Sequence, residues 1–426
     1  MLLPQEVSML RRAPSAFAGS LVLWALLPPA TARAAPLDPE VAAAVRKGIE
    51  RLLAMQEGKD RAEWPYEGVY RVGGEIPIGY RVGGTSIVGL ALLLAPGYAE
   101  DPARQQALAR AARFVASARK HPLMQFERIE ATYDVRGWGY AYGLSFLLAL
   151  ERADALPDAL AADAREAIAF FVHGLEDTAI PEAGGWNYAR RNGFGRPGPP
   201  SPFMTGSSLQ ALFQARAQGY PVSEEVVAAG LLALERARTP AGGYVYAGTA
   251  ARPEPVPGSV GRMLIAESTL FLAGRGSVDR VRGAVDAFFA HWEWLERRRA
   301  KTGTHARPFG VAPYYYFYAH YYAAQAIELL PAYERPVYRL MLRRILFQVR
   351  AEDGTWNDRV FSRSANYGTA MSVLALSQKA LPPPARYVPA AANDPRDSSA
   401  SGSQDPGPKN PSPNPKAPPG DLKKRF

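Results

Sequence analysis

Tyr367-Gly368-Thr369-Ala370-Met371-Ser372-Val373-Leu374 places a small or apolar side chain in every direction around a helical turn. A helix of that composition has no face suited to water and must be covered on all sides. Two earlier stretches, Thr85-Ser86-Ile87-Val88-Gly89-Leu90 and Thr205-Gly206-Ser207-Ser208-Leu209-Gln210-Ala211-Leu212, have the same character. The segments between them differ. Val41 to Leu53 and Val337 to Val349 carry charges on one face and an apolar stripe on the other, as helices on an outer wall do.

Extended along the chain, this alternation predicts twelve helices in outer–inner pairs. The first opens at Asp38-Pro39-Glu40, a capping residue followed by proline and an acid in the first turn. Inner segments are expected near Thr85 to Ala95, Arg136 to Arg152, Met204 to Gln218, Ser259 to Ala273, Tyr314 to Leu330 and Ala365 to Lys379. Corresponding points at Ser86, Tyr140, Gly206, Gly261, His320 and Gly368 lie 48 to 66 residues apart, a loose period of one hairpin and its loop. The loops recur as well: Glu63-Trp64-Pro65-Tyr66, Gly184-Gly185-Trp186-Asn187-Tyr188, Gly242-Gly243-Tyr244-Val245-Tyr246 and Asp353-Gly354-Thr355-Trp356. Glycine permits the left-handed turn that ends the outer helix, and the aromatic after it can fold back over the helix end. No hairpin can bury its inner face alone, and neither terminal pair is polar enough to cap an open stack. The expected architecture is therefore all-α, an (α/α)6 toroid over residues 35–381 with the inner helices around an axis.

Two flanking segments are expected to lie outside it. Residues 1–34 read as a signal peptide: Arg11 and Arg12, an apolar run from Ala16 to Leu27, then Ala32-Arg33-Ala34. The run of 12 residues falls short of the about 20 a bilayer span needs, so the mature chain is expected to be exported, periplasmic or extracellular, with no integral membrane span. Residues 382–426 hold 12 prolines and almost no apolar side chain after Val388, which predicts a disordered tail. Both segments are basic, so the formal +10 of the whole chain falls to +5 for the body. No basic stripe interleaved with aromatics points to nucleic acid. The absence of Cys excludes disulfides, a thiol nucleophile, iron–sulfur clusters and thiolate zinc; no metal or cofactor is expected.

Gln348 with Asp353-Gly354-Thr355-Trp356, the Gly-Gly-aromatic loops and the small-residue inner helices resemble the prenyltransferase and squalene-oxidase repeat family, a terpenoid cyclase-like fold. The likeness is most specific from Tyr316 to Leu376 and resembles its secreted bacterial squalene-cyclase-like branch. The resemblance implies the toroid. It implies no reaction, because the Asp-x-Asp-Asp acid of the cyclases and the Cys of the zinc and thioester members are missing.

A toroid of this kind would hold a ligand, a small molecule or a glycan, in its axial cavity, lined by inner-helix starts and the loops before them. Candidate ligand-binding residues there are Arg136, Trp138, Tyr140, Trp186, Asn187, Tyr188, Arg262, Tyr322, Asn366 and Tyr367. Candidate catalytic residues are His320, Tyr318, Glu267 and Asp134. His320 stands where the repeat elsewhere has glycine, and so is expected to face the axis; the same residue also reads as a core histidine bonded to a tyrosine or a carbonyl. Glu267, an acid inside an apolar helix, reads as a reacting group, as the partner of Arg262, or as a member of an inter-helix hydrogen bond. Asp134 reads either as an acid beside Arg136 or as a helix cap. Two functions follow: an exported protein binding a hydrophobic or isoprenoid-like ligand in an aromatic cavity, or a secreted polysaccharide lyase or glycosidase using a Tyr/His/Arg or carboxylate site.

Overall fold

In a computed structural model, which describes residues 36–126, 135–188, 196–251 and 254–389, the chain forms twelve α-helices among the described residues. The outer helices are α1 (Pro39–Ala54), α3 (Pro102–Ser117), α5 (Asp158–Asp177), α7 (Glu224–Ala237), α9 (Val278–Glu296) and α11 (Arg335–Gln348). Their inner partners are α2 (Ile78–Leu94), α4 (Arg136–Arg152), α6 (Pro202–Ala217), α8 (Val256–Leu272), α10 (Tyr315–Leu329) and α12 (Ala365–Ser377). Each inner helix packs on the next, and α12 packs on α2, so the ring is closed as expected. The outer helices sit one place back: α3 lies mainly on α2, α5 on α4, α7 on α6, and α1 on α12.

Side-chain caps occur on four of the six outer helices and are absent from α5 and α11. Asp38, Asp101, Ser223 and Ser277 cap α1, α3, α7 and α9 through their side chains. None of the six inner helices has a side-chain cap. Their N-terminal amides all open at the same end of the ring, here called the upper end, and their carbonyl ends open at the lower end.

The recurring loops do what their aromatics predict. Trp64, Trp186 and Trp356 each donate their indole N–H to a carbonyl in the last turns of the preceding outer helix: Leu52 (2.6 Å), Leu175 (2.8 Å) and Leu346 (2.8 Å). The backbone N–H of the same three residues donates to Thr85, Thr205 and Thr369 of the following inner helix at 2.9–3.0 Å. One tryptophan thus bonds a helix-end carbonyl, which at Leu52 also accepts from the Met55 N–H, and fixes the loop to the next helix. The turn before it needs a left-handed residue, supplied by Gly354 at φ +90° in the last repeat.

Two boundaries differ from the sequence reading. Helix α2 starts at Ile78, seven residues before Thr85, because Gly79, Gly83 and Gly84 are helical contact points and not turns; a Cβ on Gly79 would lie 2.3 Å from the Val135 carbonyl oxygen. The chain also stays on the body past Pro382. Tyr387 donates its N–H to the Leu272 carbonyl (3.1 Å) and stacks on Phe213 at 5.2 Å, so the compact unit ends at Tyr387. Three prolines end a helix, but they do not stop an extended strap from lying across the lower end of the ring. The predicted signal segment and the rest of the tail, from 390 on, lie outside the described residues. No described helix is long and apolar enough to cross a membrane.

Candidate functional site

The axis is filled in the middle. Tyr142 of α4 and Tyr322 of α10, on opposite sides of the ring, share a hydroxyl–hydroxyl bond of 3.1 Å. Above it Phe203 lies between Trp138 (5.5 Å, parallel) and Tyr318 (4.1 Å), and the Tyr318 hydroxyl donates to the Phe203 carbonyl at 2.8 Å. These rings bury well over a hundred Å² each and leave no continuous channel. The expected single cavity is therefore two hollows separated by an aromatic plug.

The upper hollow is walled by Tyr66, Tyr80, Trp138, Tyr188, Phe203, Tyr314, Arg359 and Tyr367, and leaves about 40 Å³ for the centres of water-sized molecules, room for a few waters. On the α2–α12 side lie Asp358 and Arg359, in the loop after Trp356. Both are buried. Neither carboxylate oxygen of Asp358 has a hydrogen-bond partner, and neither have Nε and Nη1 of Arg359 or the hydroxyl of Tyr66. Burial pushes the Asp358 carboxyl up to about 7, against the opposing pull of Arg359. Burial likewise raises the Tyr66 and Tyr367 phenols, with the nearby Asp358 carboxylate adding to it. Facing them, Tyr188 bonds to the Tyr246 hydroxyl and, at 3.1 Å, to that of Tyr314, which meets His305 Nε2 at 3.1 Å. Burial and the neighbouring Arg262 and Arg298 lower the His305 pKa. The Arg359 guanidinium, with two unpartnered nitrogens, and the Tyr188–Tyr314 phenols thus border one aromatic mouth lined by the N-terminal turns of α2, α4, α6, α10 and α12, with the buried acid Asp358 next to Arg359 in the chain. That combination favours negative charge and supplies donors to it.

The sequence-predicted residues divide among several places. Trp138, Tyr188 and Tyr367 line this mouth, Tyr318 belongs to the plug, and Tyr322 joins the plug to the lower hollow. His320 does not face the axis. Its Nε2 accepts from the Trp292 indole N–H (2.9 Å), its Nδ1 donates to the Tyr316 carbonyl (2.7 Å), and burial lowers it to about 4, a neutral histidine between α9 and α10. The glycine register that suggested otherwise marks helix-to-helix contact: a Cβ on Gly206 would meet Ile265 of α8 at 2.4 Å. Glu267 also points outward, and its ion pair is with Arg238 (2.9 Å), not Arg262. Arg262 instead holds the Tyr244 carbonyl, the Tyr315 hydroxyl and Glu254. Arg136 bonds to the Gln125 carbonyl and Tyr140 to that of Met124, both away from the axis. Trp186 is spent on its helix cap, Asn187 donates to the Pro199 carbonyl (2.7 Å), and Asn366 donates to that of Pro65 (2.9 Å). Asp134 lies outside the described residues. Sequence reading missed Asp358, Arg359, Tyr66 and His305. The first two sit just beyond a recognised loop and look like surface charges until the fold buries them.

The lower hollow leaves about 310 Å³ on the same measure and is bordered by Tyr142, Tyr322, four glutamines and the strap after Leu381. Among the described residues no three His, Asp or Glu side chains converge as metal ligands would.

No family model and no curated protein sequence matches the chain. Solved structures similar to it include the unsaturated glucuronyl hydrolase of Bacillus sp. GL1, responsible for the degradation of glycosaminoglycan, with TM-score 0.53 and 13% identity over 80% of this chain and 96% of that one. The GH76A α-1,6-mannanase of Salegentibacter sp. HEL1_6 gives TM-score 0.51 and 11% identity, covering 80% and 99%. At these identities the likeness supports the α/α toroid fold and nothing finer. The type II terpene cyclase MstE from Scytonema overlays at TM-score 0.48 and 13% identity, covering 80% and 99%, too low a score to argue from.

Proposed function

We propose that the protein is exported and takes the acidic end of a glycan at its upper mouth, with a uronic acid ring against the aromatic wall and its carboxylate on Arg359. The unpartnered Asp358–Arg359 pair, buried beside a hollow otherwise walled by rings, carries this reading. The Arg359 guanidinium lies 5.8 Å from the Phe361 ring centre with Nε and Nη1 buried and unpartnered, and a ligand carboxylate on Nη2 gains a charge-assisted hydrogen bond. The reading is one of binding and assigns no reaction.

The mostly aromatic wall favours a second reading, a hydrophobic or isoprenoid-like ligand in the manner of the squalene-cyclase-like branch. It ranks second because the unpartnered nitrogens of Arg359 in that wall suit an acidic ligand better than an apolar one. Isothermal titration with digalacturonate and with farnesyl phosphate separates the two. Digalacturonate is expected to bind and to weaken ten- to hundred-fold, as for a lost charged hydrogen bond, in Arg359→Ala. Binding of farnesyl phosphate alone would overturn the first reading.

A further inference from the structure

The roomier opening of the ring is at its other end, where neither reading above places anything. Its wall contains Ser145, Gln210, Gln214, Gln325 and Gln378 together with the rings of Tyr321 and Tyr322, set among alanine and leucine side chains. Gln210 and Gln325 exchange two amide bonds of 2.9 and 3.0 Å, and Gln210 also donates to Thr269 at 3.1 Å, so these two are fixed in place. Gln378 is different. It is 7% exposed, and its side-chain oxygen is buried with no hydrogen-bond partner.

The charges around this chamber narrow what would enter it. Among the described residues its wall holds no carboxylate, and Arg152, at the carbonyl end of α4, carries the formal charge there. A cation would find no counter-charge and would meet Arg152. An anion would face the carbonyl ends of inner helices, among them α2, α4, α6 and α12, the negative ends of their dipoles. What remains is an uncharged ligand rich in hydrogen-bond donors. The amides supply fixed polar partners, and the faces of Tyr321 and Tyr322 suit the apolar face of a saturated ring. A space of about 310 Å³ suits one or two such rings. One side is closed by Leu381 to Ala385, a strap pinned by Tyr387 against Phe213 and beneath Arg216, 5.3 Å from the ring centre.

We propose that this lower chamber is a second ligand site, distinct from the mouth, for an uncharged polyol of one or two pyranose rings, held by the glutamine amides of its wall. The proposal does not depend on what the mouth binds. Saturation-transfer NMR on the full chain with glucose, mannose, galactose, maltose and cellobiose tests it. At least one sugar is expected to bind saturably. Its signal should disappear in Ser145→Trp, which fills the chamber, and persist in Arg359→Ala. If Ser145→Trp does not fold, as read by circular dichroism, Gln378→Leu replaces it and is expected to weaken binding about tenfold. Absence of binding by every sugar in the panel overturns the proposal. So does binding that survives the filled or Gln378→Leu chamber, or that is lost in Arg359→Ala, which would move the ligand to the mouth.

Discussion

Asp358→Asn is expected to make the protein more stable at pH 8 and to leave it nearly unchanged at pH 4. The carboxyl is fully buried, makes no hydrogen bond, and is raised from 3.8 to about 7 in the fold. Between those two values the native state holds a proton that the unfolded chain has lost. The unfolded state then binds fewer protons, so the stability of the native protein falls as pH rises from about 4 to about 7 and is level above that. A shift of about three units corresponds to about 4 kcal/mol at 1.36 kcal/mol per unit. Asparagine has the shape of the protonated acid and never ionises. The gap between variant and parent should therefore grow from near zero at pH 4 to about 4 kcal/mol at pH 8, read from urea unfolding at several pH values. A gap that does not change with pH, or an Asn variant less stable at pH 8, would refute the reasoning. Either result would mean that Asp358 is an ionised partner of Arg359 and not an isolated buried acid.

Trp186→Phe keeps most of the buried ring but leaves the Leu175 carbonyl without its 2.8 Å donor, and should cost about 1–3 kcal/mol by urea unfolding. Gly258→Ala should destabilise by about 3 kcal/mol, because the new Cβ would lie 1.9 Å from the Phe309 carbonyl oxygen; the gain of about 1 kcal/mol in helix propensity does not offset a backbone clash. Arg238→Ala strips the buried Glu267 carboxylate of its 2.9 Å partner and should cost about 3–5 kcal/mol, most of it recovered when Glu267→Gln is added, as a double-mutant unfolding cycle would show.

The architecture was legible because it is written as a period. All-apolar segments such as Tyr367 to Leu374 have one solution, complete coverage, and the glycine–aromatic loops between them repeat one capping problem three times with tryptophan. The mouth was only partly legible. Trp138, Tyr188 and Tyr367 lie at inner-helix starts or in the loops before them, and position alone placed them correctly. The axial placement of His320 went astray, while its reading as a core histidine bonded to a carbonyl held, and Glu267 found a partner other than Arg262, because a polar residue in an apolar helix says that it is buried, not in which direction. Here the directions were toward Trp292 and Arg238 in the outer layer. Asp358 and Arg359 illustrate the converse. A charged pair in a loop has the composition of a solvated turn, and only the packing of the last loop against Tyr66 and Tyr367 removes it from water.

The closure of α12 on α2, with α1 seated on α12, also bears on how the chain is made. The first helix to emerge during synthesis has its resting place built by the last, roughly three hundred residues later, and until then its apolar stripe stays wet. Losing the final hairpin would accordingly not shorten the molecule by a sixth, as it would a stack. It would open a breach whose two lips, α2 and α10, both face water with surfaces meant for the interior.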